Sequence, residues 1–505
     1  MIELGPLDHF FAKRLLKEAH SEPKALFLAT LMRISREGHL CWKTSEAPEL
    51  PPAILQEGKD LLAKTPVVRQ ADRYYLQRNW VYETPILDQI KRLRAVQPSP
   101  LSPIPQESNL LPGQRRAVEN ALQNTLSIFC GGPGTGKTYT AGCLVRHLIS
   151  VSPKKDKTKV VLAAPTGKAA SHLHTVLGPV DAQIEATTLH RLLRLTPGEN
   201  RLFSPRIIDA DLVLVDEASM LDVPLLAHLL ESIGADTRLV LMGDPDQLPP
   251  VEAGSLFAEM AALFGTPLQQ SMRTDQAHLL ALTAAIQRGE WNDPVFQKGG
   301  NDPSLLLDWT FDGSLPQKLF EEVHPLISWS EPDPHLALKQ LDTFRVLGAL
   351  RQGPFGIDAL NRQIVQEMAR RIHPGQWWAL PILITANAPR QGLYNGTCGI
   401  LIGKSQGGIY FRDATAYFPE KVPCKALPAF EVAFCLSIHK SQGSEFEKVL
   451  ALFPGGSENF GREALYTAAT RAKQQIQIVA QEGVLQAILM RRSDKTSGFT
   501  DRFLI

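Results

Sequence analysis

Gly131-Gly132-Pro133-Gly134-Thr135-Gly136-Lys137-Thr138 follows directly on the apolar run Leu126-Ser127-Ile128-Phe129-Cys130 and leads into a helical pattern. That order of strand, glycine-rich loop and helix makes a G-x-x-x-x-G-K-T match a phosphate-binding loop. Glycines let backbone N–H groups approach phosphate oxygens, and the helix N-terminus adds its positive dipole end. Lys137 is expected to reach the β and γ phosphates and the Thr138 hydroxyl to ligate Mg²⁺, with Tyr139 counted among the nucleotide-binding residues. The alternative is a glycine-rich turn. The loop predicts a nucleoside triphosphate site, and the rest of the chain must say what the energy is for.

At 505 residues the chain exceeds one hydrophobic core, and roughly three or four domains are expected. Its 44% hydrophobic and 21% charged residues are ordinary for a soluble globular protein. A net charge of +1 neither favours nor excludes nucleic acid, because a local basic groove can sit on a neutral protein. The six cysteines lack metal-ligand or disulfide spacing and read as free thiols in a reducing cytosol. The first residues show no basic stretch with an apolar core, and nowhere do roughly eighteen apolar residues run together. No export or membrane span is therefore expected, and the expected compartment is the cytoplasm.

The stretch from Val96 to Pro105 holds four prolines in eight residues, Pro98 to Pro105, and reads as an extended linker over 96–107. Upstream, residues 1–95 form a small, mainly helical domain with no evident chemistry. From about 108 the pattern is α/β. Val160–Ala164, Leu212–Val215 and Leu239–Met242 are near-continuous apolar runs, as parallel strands buried on both faces require. A second series follows at Phe344–Leu347, Val449–Leu452 and Ile476–Val479, without a phosphate loop of its own. The expected layout is two α/β domains, 108–265 and 266–389 with 431–505, with the nucleotide between them. A Gly-, Tyr- and Phe-rich segment at 390–430 reads as a small β insertion.

Strand Leu212–Val215 runs into Asp216-Glu217, which places Asp216 to hold the Mg²⁺ water shell and Glu217 to polarise an attacking water. The competing reading is an acidic helix cap. Strand Leu239–Met242 runs into Gly243-Asp244-Pro245-Asp246-Gln247, where the Gln247 amide can sense a γ phosphate; a plain turn explains the rest. Gln114, roughly twenty residues before the loop, offers an amide suited to both edges of adenine.

In this order the motifs resemble the superfamily 1 helicases and, within them, the RecD subunits of the RecBCD (exodeoxyribonuclease V) complex. The resemblance spans about residues 108–505. It rests on Ala164-Pro165-Thr166-Gly167-Lys168, Thr188-Leu189-His190-Arg191, Val251-Glu252-Ala253-Gly254-Ser255, Leu350–Gly356, Tyr394-Asn395-Gly396, Ser437–Phe446 and Tyr466–Ala472. It implies two RecA-like P-loop NTPase domains, an SH3-like insertion, ATP with Mg²⁺, and 5′→3′ movement on DNA. Arg273 and Arg471 are implied as arginine fingers on the γ phosphate, although Met272 stands where the family often has an aromatic. Glu445 is implied as the ribose contact, and Thr166, His190 and His439 as contacts to the DNA backbone. Read alone, Thr166 is equally a strand-end cap and both histidines equally core residues. RecB-like and RecC-like partners are implied, with the nuclease in a partner and the N-terminal domain as a docking element. A stand-alone helicase or a non-motor ATP-binding subunit are the alternatives.

Overall fold

A computed structural model describes residues 4–504 apart from 17–21, 60–62, 97, 100, 106–108, 154–156, 179–182, 196–204, 251–253, 269–276, 297–304, 327, 330–333, 372–376, 387, 389–392, 394, 404–407, 413–416, 423–427 and 494. The first lobe is a six-stranded sheet in the order Gly265–Pro267, Leu126–Cys130, Arg238–Gly243, Leu212–Val215, Lys159–Ala164, Gln183–Thr188, every pairing parallel. Leu126–Cys130 and Arg238–Gly243 are buried at every position, which is why their sequences do not alternate. Helices such as Lys137–Val151 and Val223–Glu231 cover its two faces with separate apolar clusters.

The second lobe is a parallel four-stranded sheet in the order Cys435–Ser437, Phe344–Gly348, Phe446–Phe453, Ala472–Ala480. Helices Ala277–Arg288 and Arg462–Thr470 pack on one of its faces and Ile357–Arg371 on the other. The α/β fold with two lobes is thus as expected, with differences at the joints. The break expected at 265 falls at the start of strand Gly265–Pro267, which belongs to the first sheet. The β insertion reaches back before 390, because Trp377–Ile384 pairs antiparallel with Cys398–Gly403 and with Phe430–Val432. An apolar strand gives no hint of which sheet it joins.

The N-terminal region adds to helices Pro6–Leu16, Glu22–Arg36 and Gln77–Ala95 a four-stranded sheet ordered Cys41–Lys43, Arg73–Leu76, Val67–Gln70, Leu55–Glu57. Gln77–Ala95 packs on helix Val223–Glu231 of the first lobe. Helix Phe499–Leu504 does not stay with the second lobe, to which 431–505 was assigned. It inserts Phe499 into the first-lobe cluster containing Ile86, Ile90 and Phe257, and burying such a ring contributes roughly 2 kcal/mol. No helix among the described residues is long and apolar enough to cross a membrane.

Candidate active site

The phosphate loop is shaped by residues only glycine replaces cheaply. Gly134 and Gly136 take φ of 73° and 80°, and a Cβ on Gly136 would sit 2.5 Å from Gln114 Nε2. Gly136 is the N-cap of helix Lys137–Val151, so the first-turn N–H groups open onto the loop. Lys137 Nζ donates to the Gly131 and Gly132 carbonyls at 2.6 and 3.0 Å, and Thr135 Oγ1 donates to Gly132 O. Thr138 is half-buried on the first turn and Tyr139 is exposed. Gln114 is buried, with Oε1 accepting from Leu111 N–H and Nε2 donating to Thr135 O, so its amide braces the loop.

Asp216 and Glu217 leave the end of Leu212–Val215 beside this loop. Burial, reinforced by Glu217, pushes the Asp216 carboxyl up to about 6, against the pull of Glu217 N–H and Lys137. Glu217 has φ 51°, a left-handed conformation unusual for a residue with a Cβ. Among the described residues no cluster of three His, Cys, Asp or Glu forms a metal cage. Mg²⁺ is commonly held by one carboxylate, a hydroxyl and phosphate oxygens, and Asp216 and Thr138 offer a carboxylate and a hydroxyl of the kind such a site would use.

The loop after Arg238–Gly243 is gripped by the second lobe. Asp244 Oδ2 accepts from Gln247 Nε2 at 3.2 Å and from the Tyr466 hydroxyl at 3.1 Å. Leu248 N donates to Thr467 Oγ1, and Gln442 Nε2 donates to Leu248 O. Burial pushes Asp244 up to about 6, with Lys137 opposing. Gln247 Oε1 is buried and lacks a hydrogen-bond partner among the described residues. Arg471 is buried at the C-terminus of Arg462–Thr470, donating to Thr467 O, Ser444 O and Thr470 Oγ1. It holds to its own lobe and does not line the cavity. Half-buried Glu445 lies beside Ser444. Arg273 lies outside the described residues.

Between the lobes lies a cavity of about 460 Å³. Gly131, Gly132, Asp244 and Leu268 wall one side, and Leu279, Thr283, Tyr466 and Thr470 the other. A smaller one of about 180 Å³ adjoins it at Gln114, Arg116 and Pro267. The glycine cradle, the buried Asp216 and the orphan Gln247 acceptor together fit a nucleotide with its cation. Of these partners, Asp244 and Tyr466 were missed from sequence. Both stood inside quoted motifs, but only their meeting across the seam gives them a role.

None of the expected DNA contacts lines that cavity. Thr166 caps helix Gly167–Leu177, accepting from Ala169 N–H at 3.3 Å. A Cβ on Gly443 would lie 3.9 Å from Thr166 Oγ1, so the two lobes face each other there. His439 packs edge-on against Phe460 at 5.9 Å; burial and Lys495 lower its pKa, leaving it neutral at pH 7. His190 is exposed in the short helix Leu189–Leu192, away from any core role.

Two family descriptions match the chain: an AAA domain over residues 114–253 and a UvrD-like helicase C-terminal domain over 432–479. A protein of Mycolicibacterium smegmatis described as RecBCD enzyme subunit RecD is 33% identical, over 99% of this chain and 97% of that protein. An ATP-dependent RecD2 DNA helicase of Deinococcus radiodurans is 28% identical over 71% of this chain but only 47% of its own length. A solved structure of Pif1 helicases at forked duplex DNA superposes with a TM-score of 0.45 at 16% identity, over 75% of this chain and 94% of that one.

Proposed function

The chain belongs to the RecD family of RecBCD enzyme subunits, and from that premise we propose that it is an ATP-driven 5′→3′ DNA translocase and helicase acting in double-strand-break repair. The observation that carries this reading is the seam. A phosphate loop on one lobe and helix Arg462–Thr470 on the other share one cavity, so a change in nucleotide state is felt by both lobes at once.

In this reading Lys137 exchanges the Gly131 and Gly132 carbonyls for the β and γ phosphates, and Gln114 contacts the adenine. Thr138 and Asp216 hold Mg²⁺, which supplies charge neutralisation on the phosphate oxygens. Glu217 polarises the attacking water, and Gln247 reports the state of the γ phosphate. Arg273 and Arg471 of the second lobe neutralise developing charge as the seam closes, and Glu445 contacts the ribose. Thr166, His190 and His439 hold the backbone of one strand without reading its sequence, which a non-specific translocase requires. The two grips alternate as the seam opens and shuts.

RecB-like and RecC-like subunits are the proposed partners, the nuclease lies in one of them, and the complex works in the cytoplasm on DNA ends. The likeness to a RecD subunit runs over 99% of this chain at 33% identity, against 71% at 28% for the RecD2 helicase, which favours this over a stand-alone enzyme. The test is strand displacement on 5′- and 3′-tailed duplexes, with and without co-expressed partners. Unwinding from the 5′ tail is expected, and Lys137→Gln must abolish it while leaving the circular dichroism spectrum intact. Preference for the 3′ tail, or no DNA-stimulated ATP turnover, overturns the proposal.

A further inference from the structure

We infer that Tyr466 is a positioning residue for ATP turnover: its hydroxyl, carried by the second lobe, sets the Asp244 carboxylate and through it the Gln247 amide. This deepens the reading of the seam as the ATP site and rests on it.

The bond from Tyr466 to Asp244 joins residues 222 positions apart, and its partners are 3% and 1% exposed. It therefore forms only when the lobes are together. The same Oδ2 also takes Gln247 Nε2. A carboxylate only accepts, so the amide must turn its N–H toward Asp244 and its Oε1 the other way. That Oε1 is a buried acceptor with no partner among the described residues. Leaving such a group unmade is costly, which is sensible where a donor is to arrive. An attacking water offers that O–H donor.

The phosphate loop meets the same atoms. A Cβ on Gly132 would lie 2.9 Å from the Tyr466 hydroxyl and 4.0 Å from Asp244 Oδ2. The hydroxyl thus rests on the loop backbone while it holds the carboxylate. Tyr466 also shares helix Arg462–Thr470 with the C-cap residue Arg471, so the two move as one body. One displacement of that helix shifts Arg471 and releases Asp244 together. The amide can then rotate, and the set orientation of its acceptor is lost. Burial keeps the phenol protonated, so it remains a donor at working pH.

The test uses the full-length chain, with its partner subunits where they co-purify. Single-stranded-DNA-stimulated ATP hydrolysis is measured for wild type, Tyr466→Phe, Asp244→Asn and the double variant, alongside thermal unfolding and base pairs opened per ATP. Tyr466→Phe keeps the ring and removes one hydrogen bond. Its kcat should fall by about tenfold, with KM for ATP within about twofold and fewer base pairs opened per ATP. Asp244→Asn should show the same split, and the double variant should be no worse than the lower single. Turnover and coupling of Tyr466→Phe within about twofold of wild type overturns the inference, as does additivity in the double variant. So does a loss confined to unfolding temperature, which marks a structural role. Should Tyr466→Phe fail to fold, Asp244→Asn decides through the same split of kcat against KM. Wild type without DNA-stimulated turnover sinks the parent reading and this one with it; normal wild type with an indifferent Tyr466→Phe sinks this one alone.

Discussion

Arg502 Nη1 donates to Glu83 Oε1 at 2.8 Å, tying helix Phe499–Leu504 to helix Gln77–Ala95. Glu83 is fully buried, accepts from Gly498 N–H at 3.2 Å, and Arg502 stacks 4.0 Å over Trp80. The pair sits where the N-terminal region, the first lobe and the tail meet. Leu40 N–H donating to Thr496 O and Arg73 Nη1 donating to Ser497 O extend the same seam.

Arg502→Leu should therefore cost about 3–5 kcal/mol in urea unfolding, because it leaves a buried carboxylate without its cation. Burial already raises Glu83 above the usual carboxylate range while Arg502 opposes the rise. A folded pKa raised above the unfolded one gives stability that is present in acid and lost as pH rises. Without Arg502 the rise is larger, so the variant's deficit should shrink as pH is lowered toward 5. A deficit independent of pH would show that lost packing of the guanidinium, and not the charge, is responsible.

Asp216→Asn is expected to stabilise the protein while ending ATP turnover. The carboxyl is raised to about 6, so its ionised form is disfavoured in the fold, and stability is lost as pH rises from the unfolded carboxylate range through that value. At pH 8 the amide should gain on the order of 3 kcal/mol, at pH 5 about half of that, and below about pH 4 almost nothing. Unfolding scans at pH 8 and pH 4 check it.

Glu217 separates chemistry from strain. Its φ of 51° costs a residue with a Cβ roughly 1 kcal/mol, which glycine avoids. Glu217→Gly should raise the unfolding temperature slightly, and Glu217→Gln should leave it unchanged. Both should lower turnover by about 10²–10⁴ with nucleotide affinity retained. A glutamine variant that still turns over at the wild-type rate would remove Glu217 from the reaction.

Arg471 serves three acceptors at once with a planar fork. Lysine keeps the charge but cannot hold those positions together. Arg471→Lys should therefore cut DNA-stimulated ATP turnover by at least about 10², with a modest change in KM for ATP, in steady-state assays.

The architecture was legible because buried parallel strands print as unbroken apolar runs, as at Leu212–Val215, and because the loop before Lys137 is glycine where the backbone turns left-handed. What pairs across long separations was not. Tyr466 and Asp244 stand in separate motifs, and no local pattern tells that they touch. Glu83 and Arg502 read as surface charges on polar helices until the tail folds back over them. Strand Trp377–Ile384 has the apolar content of a lobe strand but closes the insertion sheet instead. The direct contact of Gln114 with Thr135 O was equally unwritten, since an amide near a loop does not announce which partner it holds.

Strand Gly265–Pro267 lies beside Leu126–Cys130, and Leu268 N–H donates to Cys130 O before the chain re-emerges in helix Ala277–Arg288 of the other lobe. The crossing between the lobes thus starts beside the strand that feeds the phosphate loop. Thr166 follows Lys159–Ala164, four strand spacings away in the same sheet, about 19 Å at the usual spacing. Were the lobes to turn about that crossing, a swing that barely widens the phosphate-loop side would be geared up at that outer rim, as a short crank drives a long arm.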